Sequence, residues 1–208
     1  MTSRKENGDE VTRTTNWETF IFSLGNIQGA PVSGNDILHR ILRTTKEMLH
    51  DRGYTIITMD GDIEKHIMEN KYVLSATDSN NKRILHVYIH SEDKIGIKYA
   101  RLMIGQSSNA QILCISIDGP TPFTKKDAGD RIQYMSCNRL CANLTKHCLV
   151  PKHERIGVDG HNFEKDKLPK LLVSDPIVQY YDWKVGDVIR IRRVFGGGEP
   201  HDYYRVVC

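Results

Sequence analysis

Residues 174–193 read SDPIVQYYDWKVGDVIRIRR, which packs a helix start, a tight turn and a strand into one short stretch. Asp175 is a good helix N-cap, and Pro176 suits the first helical position, where no N–H is required. The KVGD at 184–187 supplies the turn. Residues 188–193 then alternate: Ile189 and Ile191 are expected on one side, and Val188, Arg190 and Arg192 on the other. That period of two is the signature of a strand buried on a single face. With no nucleophile or metal-ligand triad in it, the stretch is expected to pack and to present a surface.

The chain as a whole has 208 residues, 39% of them hydrophobic, and a formal net charge of +3. That length supports one or two cores, and the change of rhythm described below favours two. The charge is too mild to mark a dedicated nucleic-acid binder, so any DNA contact is expected to be shared with other proteins. The 5 cysteines are an odd number, and neither a signal-peptide core nor an apolar run of membrane-spanning length accompanies them. A reducing, soluble compartment is expected, with no disulfides and no membrane contact.

Upstream, residues 1–16 are polar and aperiodic and read as a disordered tail. The apolar cluster Trp17, Phe20, Ile21, Phe22 and Leu24 is expected to fold back onto the chain's own core rather than onto a partner. From 35 to 52, Ile37, Leu38, Ile41, Leu42, Met48 and Leu49 recur at helical spacing, and Gly53 is placed to end that helix. Strands are expected at YTIIT, YVLSA, RILHVYIH and QILCISI, and helices near 63–68 and 97–105. GPTPF then breaks the chain. Thr124 with Asp127 three residues on resembles a capping box, opening a helix expected to reach Asn143. This alternation is the pattern of a two-layer or three-layer α/β domain. Beyond Thr145 the segments shorten into a smaller α+β domain.

Several constellations carry candidate chemistry. Asp78, Glu92 and Lys94 have the order of an Asp…Glu-x-Lys nuclease, in which two carboxylates would hold Mg²⁺ and the lysine would polarise a water. Such triplets arise often by chance, and all three are expected on the surface or in turns. Cys137, Cys141, His147, Cys148 and His153 raise a zinc site, but there is no C-x-x-C pair, and the two helical cysteines fit a buried helix side. In GPTPFTKK, Lys125 and Lys126 stand near a helix start where they could reach a phosphate, against the plainer reading as a solvated turn. FGGGEP lacks the Lys-Ser/Thr of a phosphate-binding loop and reads as a flexible hairpin. No cofactor or metal is expected.

At TKHCLVPKHE the sequence closely resembles a histidine-containing motif common to a small archaeal RNA polymerase polypeptide and to the fifth subunit shared by the eukaryotic nuclear RNA polymerases. LPKLLVSDPIVQYYDWKVGDVIRIRRV and the closing YYRVV continue that likeness in order. LHDRGY, IGIKYARLM and GPTPFTKKD resemble the N-terminal jaw domain of the eukaryotic protein, which the archaeal one lacks. The resemblance implies an N-terminal extension over 1–33, an α/β jaw domain of truncated nuclease-like fold over 34–144, and a small α+β assembly domain over 145–208. It further implies a non-catalytic subunit of a multisubunit DNA-directed RNA polymerase. The expected partners are the largest subunit, neighbouring small shared subunits and downstream DNA within the assembled enzyme, with no homo-oligomer.

On this reading Thr121, Pro122, Thr124, Lys125 and Lys126 form the DNA-facing loop. His147, Leu149, Val150, Pro151, His153, Asp175, Pro176, Ile177, Tyr180, Tyr181, Arg190, Arg192 and Arg205 form the subunit interface, with Pro176, Ile177, Tyr180 and Tyr181 as anchors and the arginines on the rim. Location would be the nucleus for a cellular enzyme and a cytoplasmic viral factory or virion for a viral one. The short span between His153 and Leu168, where the family carries a longer acidic helix, and FGGGEPHDYY, which replaces a polar hairpin, depart from the family and suit a viral or deep-branching polymerase. A transcription regulator that binds DNA alone, and the nuclease, are the alternatives.

Overall fold

The computed structural model describes residues 17–26, 33–59, 61–79, 83–92, 94–157, 164–194 and 198–208. The expected tail over 1–16, the middle of the shortened 154–167 segment and residues 195–197 of the FGGG turn lie outside them. The larger domain runs through α1 (Trp17–Asn26), α2 (Gly34–Asp51), β1 (Tyr54–Met59), α3 (Ile63–Met68), β2 (Leu74–Asp78) and β3 (Ile84–His90). It continues through α4 (Ile97–Gln106), β4 (Ala110–Ser116), α5 (Pro122–Ala128), β5 (Ile132–Ser136) and α6 (Cys137–Leu140).

Its five strands lie in the order β1-β2-β3-β4-β5. The neighbours β1, β2 and β3 are antiparallel, whereas β3, β4 and β5 are parallel and are joined by α4 and α5. Alternation along β3 and β4 feeds two cores. Leu85, Val87, Ile89, Leu113 and Ile115 meet α1, α2 and α6 on one face. Tyr88, Ile112 and Cys114 meet Ala100, Met103 and Ala128 of α4 and α5 on the other. The arrangement is therefore three-layered, because each face of the parallel half is covered by helices.

α1 packs on α2 with Phe20 and Leu24 buried in the main core and Trp17 and Ile21 against it, so the apolar cluster folds back on its own chain except for Phe22, which is exposed. The crossing is close at Gly34: a Cβ there would sit 1.9 Å from the carbonyl oxygen of Ile21. Gly53, at φ +82, turns the chain from α2 into β1.

One expected helix, from Thr124 to Asn143, does not exist. α5 stops at Ala128, Gly129 adopts φ +56, and β5 follows, paired with β4 from Ile112↔Ile132 to Ser116↔Ser136. Ala128, Ile132 and Met135 happen to be spaced as a helix stripe, although Ile132 and Met135 point to opposite faces of the sheet. The cap is also displaced by one turn. Thr121 is the N-cap, its hydroxyl accepting from the Thr124 N–H at 3.2 Å, with Pro122 at the first helical position. Asp127 instead pairs with Arg101 at 3.0 Å.

The smaller domain contains β6 (Lys152–Ile156), β7 (Lys170–Leu171), α7 (Pro176–Tyr181), β8 (Val188–Val194) and β9 (Pro200–Val207), with strand order β6-β8-β9-β7. Ile189 and Ile191 join Leu171, Ile177, Val178, Trp183 and Val207 in its core. Val188, expected to face out with the arginines, is buried too. No helix among the described residues is long and apolar enough to cross a membrane.

Candidate subunit interface and the domain junction

The decisive stretch begins as its sequence suggests. The Asp175 carboxylate accepts from the N–H groups of Ile177 at 2.8 Å and Val178 at 3.4 Å, satisfying two of the free donors at the start of α7. The helix is only 6 residues long and ends at Asp182, whose φ of 55 is left-handed.

Within that short helix, successive side chains go to different places. Ile177 and Val178 enter the small core, whereas Tyr180 is 5% exposed and sits in the core of the larger domain. Its hydroxyl donates to Asp51 at 2.8 Å and accepts from the Asn143 amide at 3.1 Å. Burial and the Asp51 charge together hold its phenol well above the usual tyrosine range. Tyr181 packs against both cores, edge-on to Tyr180 at 5.0 Å and stacked on Trp183 at 4.7 Å. Ile177 and Tyr180, expected as anchors for a partner, are thus buried within the chain itself. A small domain with few core residues gains more by closing its own boundary than by holding two large apolar side chains in water.

Arg52 completes the junction, and sequence reasoning missed it. Its Nε donates to the Tyr180 carbonyl at 2.7 Å, Nη2 to the Gln179 carbonyl at 2.9 Å, and Nη1 to the Gln133 side chain at 2.8 Å. The last carbonyls of a helix have no partner within it, so a cation at this point both satisfies them and meets the negative end of the dipole. Burial lowers the guanidinium pKa, and Asp182 acts in the opposite sense. In the sequence, HDRGY showed only a helix end; the signal was an arginine next to a capping glycine. Arg139 adds bonds to the Ser174 carbonyl and the Gln179 side chain. Asn143 also donates to Glu47 at 2.7 Å, where Lys146 pairs at 3.0 Å.

The histidine-containing motif makes local contacts. His147 accepts from the Leu149 N–H at 3.2 Å, and His153 bonds the Pro151 carbonyl at 2.7 Å, its imidazole pKa lowered by burial. Val150 leans on the small core, and Pro151 is half-buried. Leu149, by contrast, is 83% exposed, and Pro176 is exposed too.

Arg190 and Arg192 stand on the open face of the second sheet, whereas Arg205, directly opposite Ile189 on β9, lies on the other face. Arg190 pairs with Glu154 at 2.7 Å, Arg192 grips Asp202 through two bonds at 2.9 and 3.0 Å, and Arg205 donates to the Lys170 carbonyl at 3.1 Å. These pairings lower the Glu154 and Asp202 carboxyl pKa values.

In the expected DNA-facing loop, Pro122, Phe123, Lys125 and Lys126 are exposed and Thr121 is half-buried. Thr124 is not available to a ligand: it is 0% exposed, and its hydroxyl donates to the Ile95 carbonyl at 3.1 Å. Its side chain instead pins the turn to the backbone at Ile95.

The nuclease arrangement fails on topology. Asp78 accepts from the Arg83 N–H, at the start of β3, whereas Glu92 and Lys94 follow the other end of that strand. Seven residues of strand separate them, roughly 20 Å at ~3.3 Å per residue, too far to share one ion. The zinc candidates also diverge. Cys137 and Cys141 are buried, with the Cys141 thiol donating to the Cys137 carbonyl, while Cys148 is exposed and the two histidines are engaged in their turns. Among the described residues no cluster of three or more such ligands forms.

Comparison with known proteins centres on the same region. Residues 142–207 match the family model described as RNA polymerase Rpb5, C-terminal domain. The chain is 24% identical over 200 residues to the DNA-directed RNA polymerases I, II, and III subunit RPABC1 of Caenorhabditis elegans, covering 82% of this chain and 95% of that one. The protein of the same description from Dictyostelium discoideum is 24% identical over 177 residues, covering 75% and 89% respectively. DNA-directed RNA polymerase subunit 5-like protein 1 of Arabidopsis thaliana is 21% identical over 196 residues, covering 80% and 92%.

Proposed function

We propose, from the match of residues 142–207 to the Rpb5 C-terminal-domain model and the kinship of most of the chain to shared polymerase subunits, that this protein is a non-catalytic subunit of a multisubunit DNA-directed RNA polymerase. The observation that carries the reading is that the relatives match across both domains and not in the small domain alone. Nucleotide addition then belongs to other subunits, in keeping with a chain whose nuclease-like triplet is split across a strand.

In this role the small domain assembles on the largest subunit and its neighbours. With Ile177 and Tyr180 committed inside the chain, the docking surface is led by Leu149, Pro151 and Pro176, with Arg190, Arg192 and Arg205 around it. Leu149 is the natural anchor, since an exposed leucine held by a rigid turn gains most from burial at low entropic cost. The larger domain serves as the jaw, and Pro122, Lys125 and Lys126 guide downstream DNA already held by larger subunits. Location follows the enzyme: the nucleus in a cell, a cytoplasmic factory or virion for a virus.

Affinity purification of the tagged full-length chain from its native source tests the proposal. Recovery with the two largest polymerase subunits is expected. A lone monomer with DNA affinity of its own would instead identify a stand-alone regulator.

A further inference from the structure

A groove of about 1010 Å³ opens between the two domains and includes all five residues of β5 in its lining. β5 is an edge strand of the five-stranded sheet, with β4 as its neighbour there. Among the described residues, the backbone groups of β5 that point away from β4 make no backbone hydrogen bond to another element. Such an edge is a template for one more strand.

The walls are strongly basic. Arg52, Arg83, Arg131, Arg139 and Arg155, with two lysines, line the groove against only Asp130 and Asp182. Asp182 is already paired with Lys184 at 2.8 Å, and Arg155 reaches Asp187 only at 3.7 Å. Arg83, Arg131 and Arg139 have no carboxylate partner among the described residues. Arg83 and Arg131 belong to the larger domain and Arg155 to the smaller, so positive charge faces the opening from both sides.

We propose that this groove binds an extended, acidic segment of a partner polypeptide, which adds to β5 as a sixth strand. The backbone groups decide between peptide and nucleic acid. A strand edge offers N–H donors and C=O acceptors alternately, and a polypeptide meets both. A phosphodiester carries no donor and would leave the carbonyls unmet and facing negative oxygens. Carboxylates on the added strand then meet the guanidinium groups of Arg83, Arg131 and Arg155, which bind them through two parallel bonds and exclude segments of the wrong charge, while Arg52 and Arg139 stay engaged at the junction and add only charge. The surface is separate from Leu149 and shares only Lys125 with the DNA-facing loop, and it stands whether or not the chain assembles into a polymerase.

Hydrogen exchange and fluorescence anisotropy on the full chain test this. The probe is a peptide of about eight residues with Glu and Val alternating, long enough to span β5 at ~3.3 Å per residue. It is expected to slow exchange of the outward amides in 132–136 and to bind roughly tenfold more tightly than the same peptide with Lys in place of Glu. N-methylation of its alternate backbone nitrogens should abolish the protection. Arg131→Glu combined with Arg155→Glu should weaken binding roughly tenfold. Arg83→Glu serves as the second variant should that pair disturb the melting temperature. Equal binding of the N-methylated peptide, no protection of 132–136, or tighter binding of an oligothymidylate that is lost in the same variants would each overturn the proposal.

Discussion

β3 and β4 bury side chains on both faces, whereas β8 buries Ile189 and Ile191 on one face and presents ion-paired arginines on the other. The larger domain therefore closes on itself, with helices over both sides of its parallel half. The smaller domain has one covered face and a core of seven buried residues, and it borrows its neighbour's surface through Tyr180. Two-sided burial makes a self-sufficient unit; one-sided burial makes a domain that leans on whatever lies next to it.

Removing Tyr180 is the strongest way to break that contrast. Tyr180→Ala empties a site in the larger domain's core from a residue of the smaller one, and should cost about 3–5 kcal/mol. Urea unfolding should show both domains losing stability together; loss confined to the small domain would contradict a shared core. By the same logic, truncation after Asn143 cannot be expected to leave the larger domain unharmed, since it removes a ring from that core.

Arg52→Met sharpens the comparison by sparing the apolar packing. It removes the charged donor to the Tyr180 carbonyl and one of the donors to the Gln179 carbonyl, and should cost about 2 kcal/mol, read as a lower unfolding midpoint at unchanged slope. Gly34→Ala probes the larger domain alone. The added methyl collides with the Ile21 carbonyl, for a cost of about 1–3 kcal/mol with no change in the contacts of α7.

Acid acts on both domains through their buried histidines. Burial depresses the pKa of His86 and His90 in the larger domain and of His153 in the smaller. Below the ordinary histidine value of about 6.5 the unfolded chain takes up protons that the folded chain resists, so stability is complete above that pH and declines as pH falls through the depressed folded values. A melting temperature that drops below about pH 6.5, and drops less in His90→Phe, is expected. Arg192→Ala should have the smallest effect, with no resolvable change in melting temperature, because the pair with Asp202 is exposed and screened.

Much of this was legible in the sequence. Apolar runs located β3 and β4, period-two alternation located β8, and the Asp-Pro start placed α7 and its cap. β5 was not legible, because Ile132 and Met135 carry a spacing shared by helix and strand, and only pairing with β4 decides between them. The destination of Tyr180 was equally hidden. Its partners Asp51 and Asn143 lie 129 and 37 residues away, and no local pattern encodes such contacts. Arg52 and the basic groove arise likewise only when the two domains meet.

The division of labour between the open face and the larger domain is tested most directly by comparing two full-length variants in the same affinity purification. Leu149→Asp charges the most exposed large apolar side chain among the described residues of the small domain without touching its core, and Lys125→Glu with Lys126→Glu reverses the loop of the larger domain. The first should lose roughly tenfold or more of the co-purifying largest polymerase subunit at an unchanged melting temperature, whereas the second should retain it in full. Full recovery with Leu149→Asp, or loss with the lysine pair instead, would contradict the assignment of assembly to the small domain.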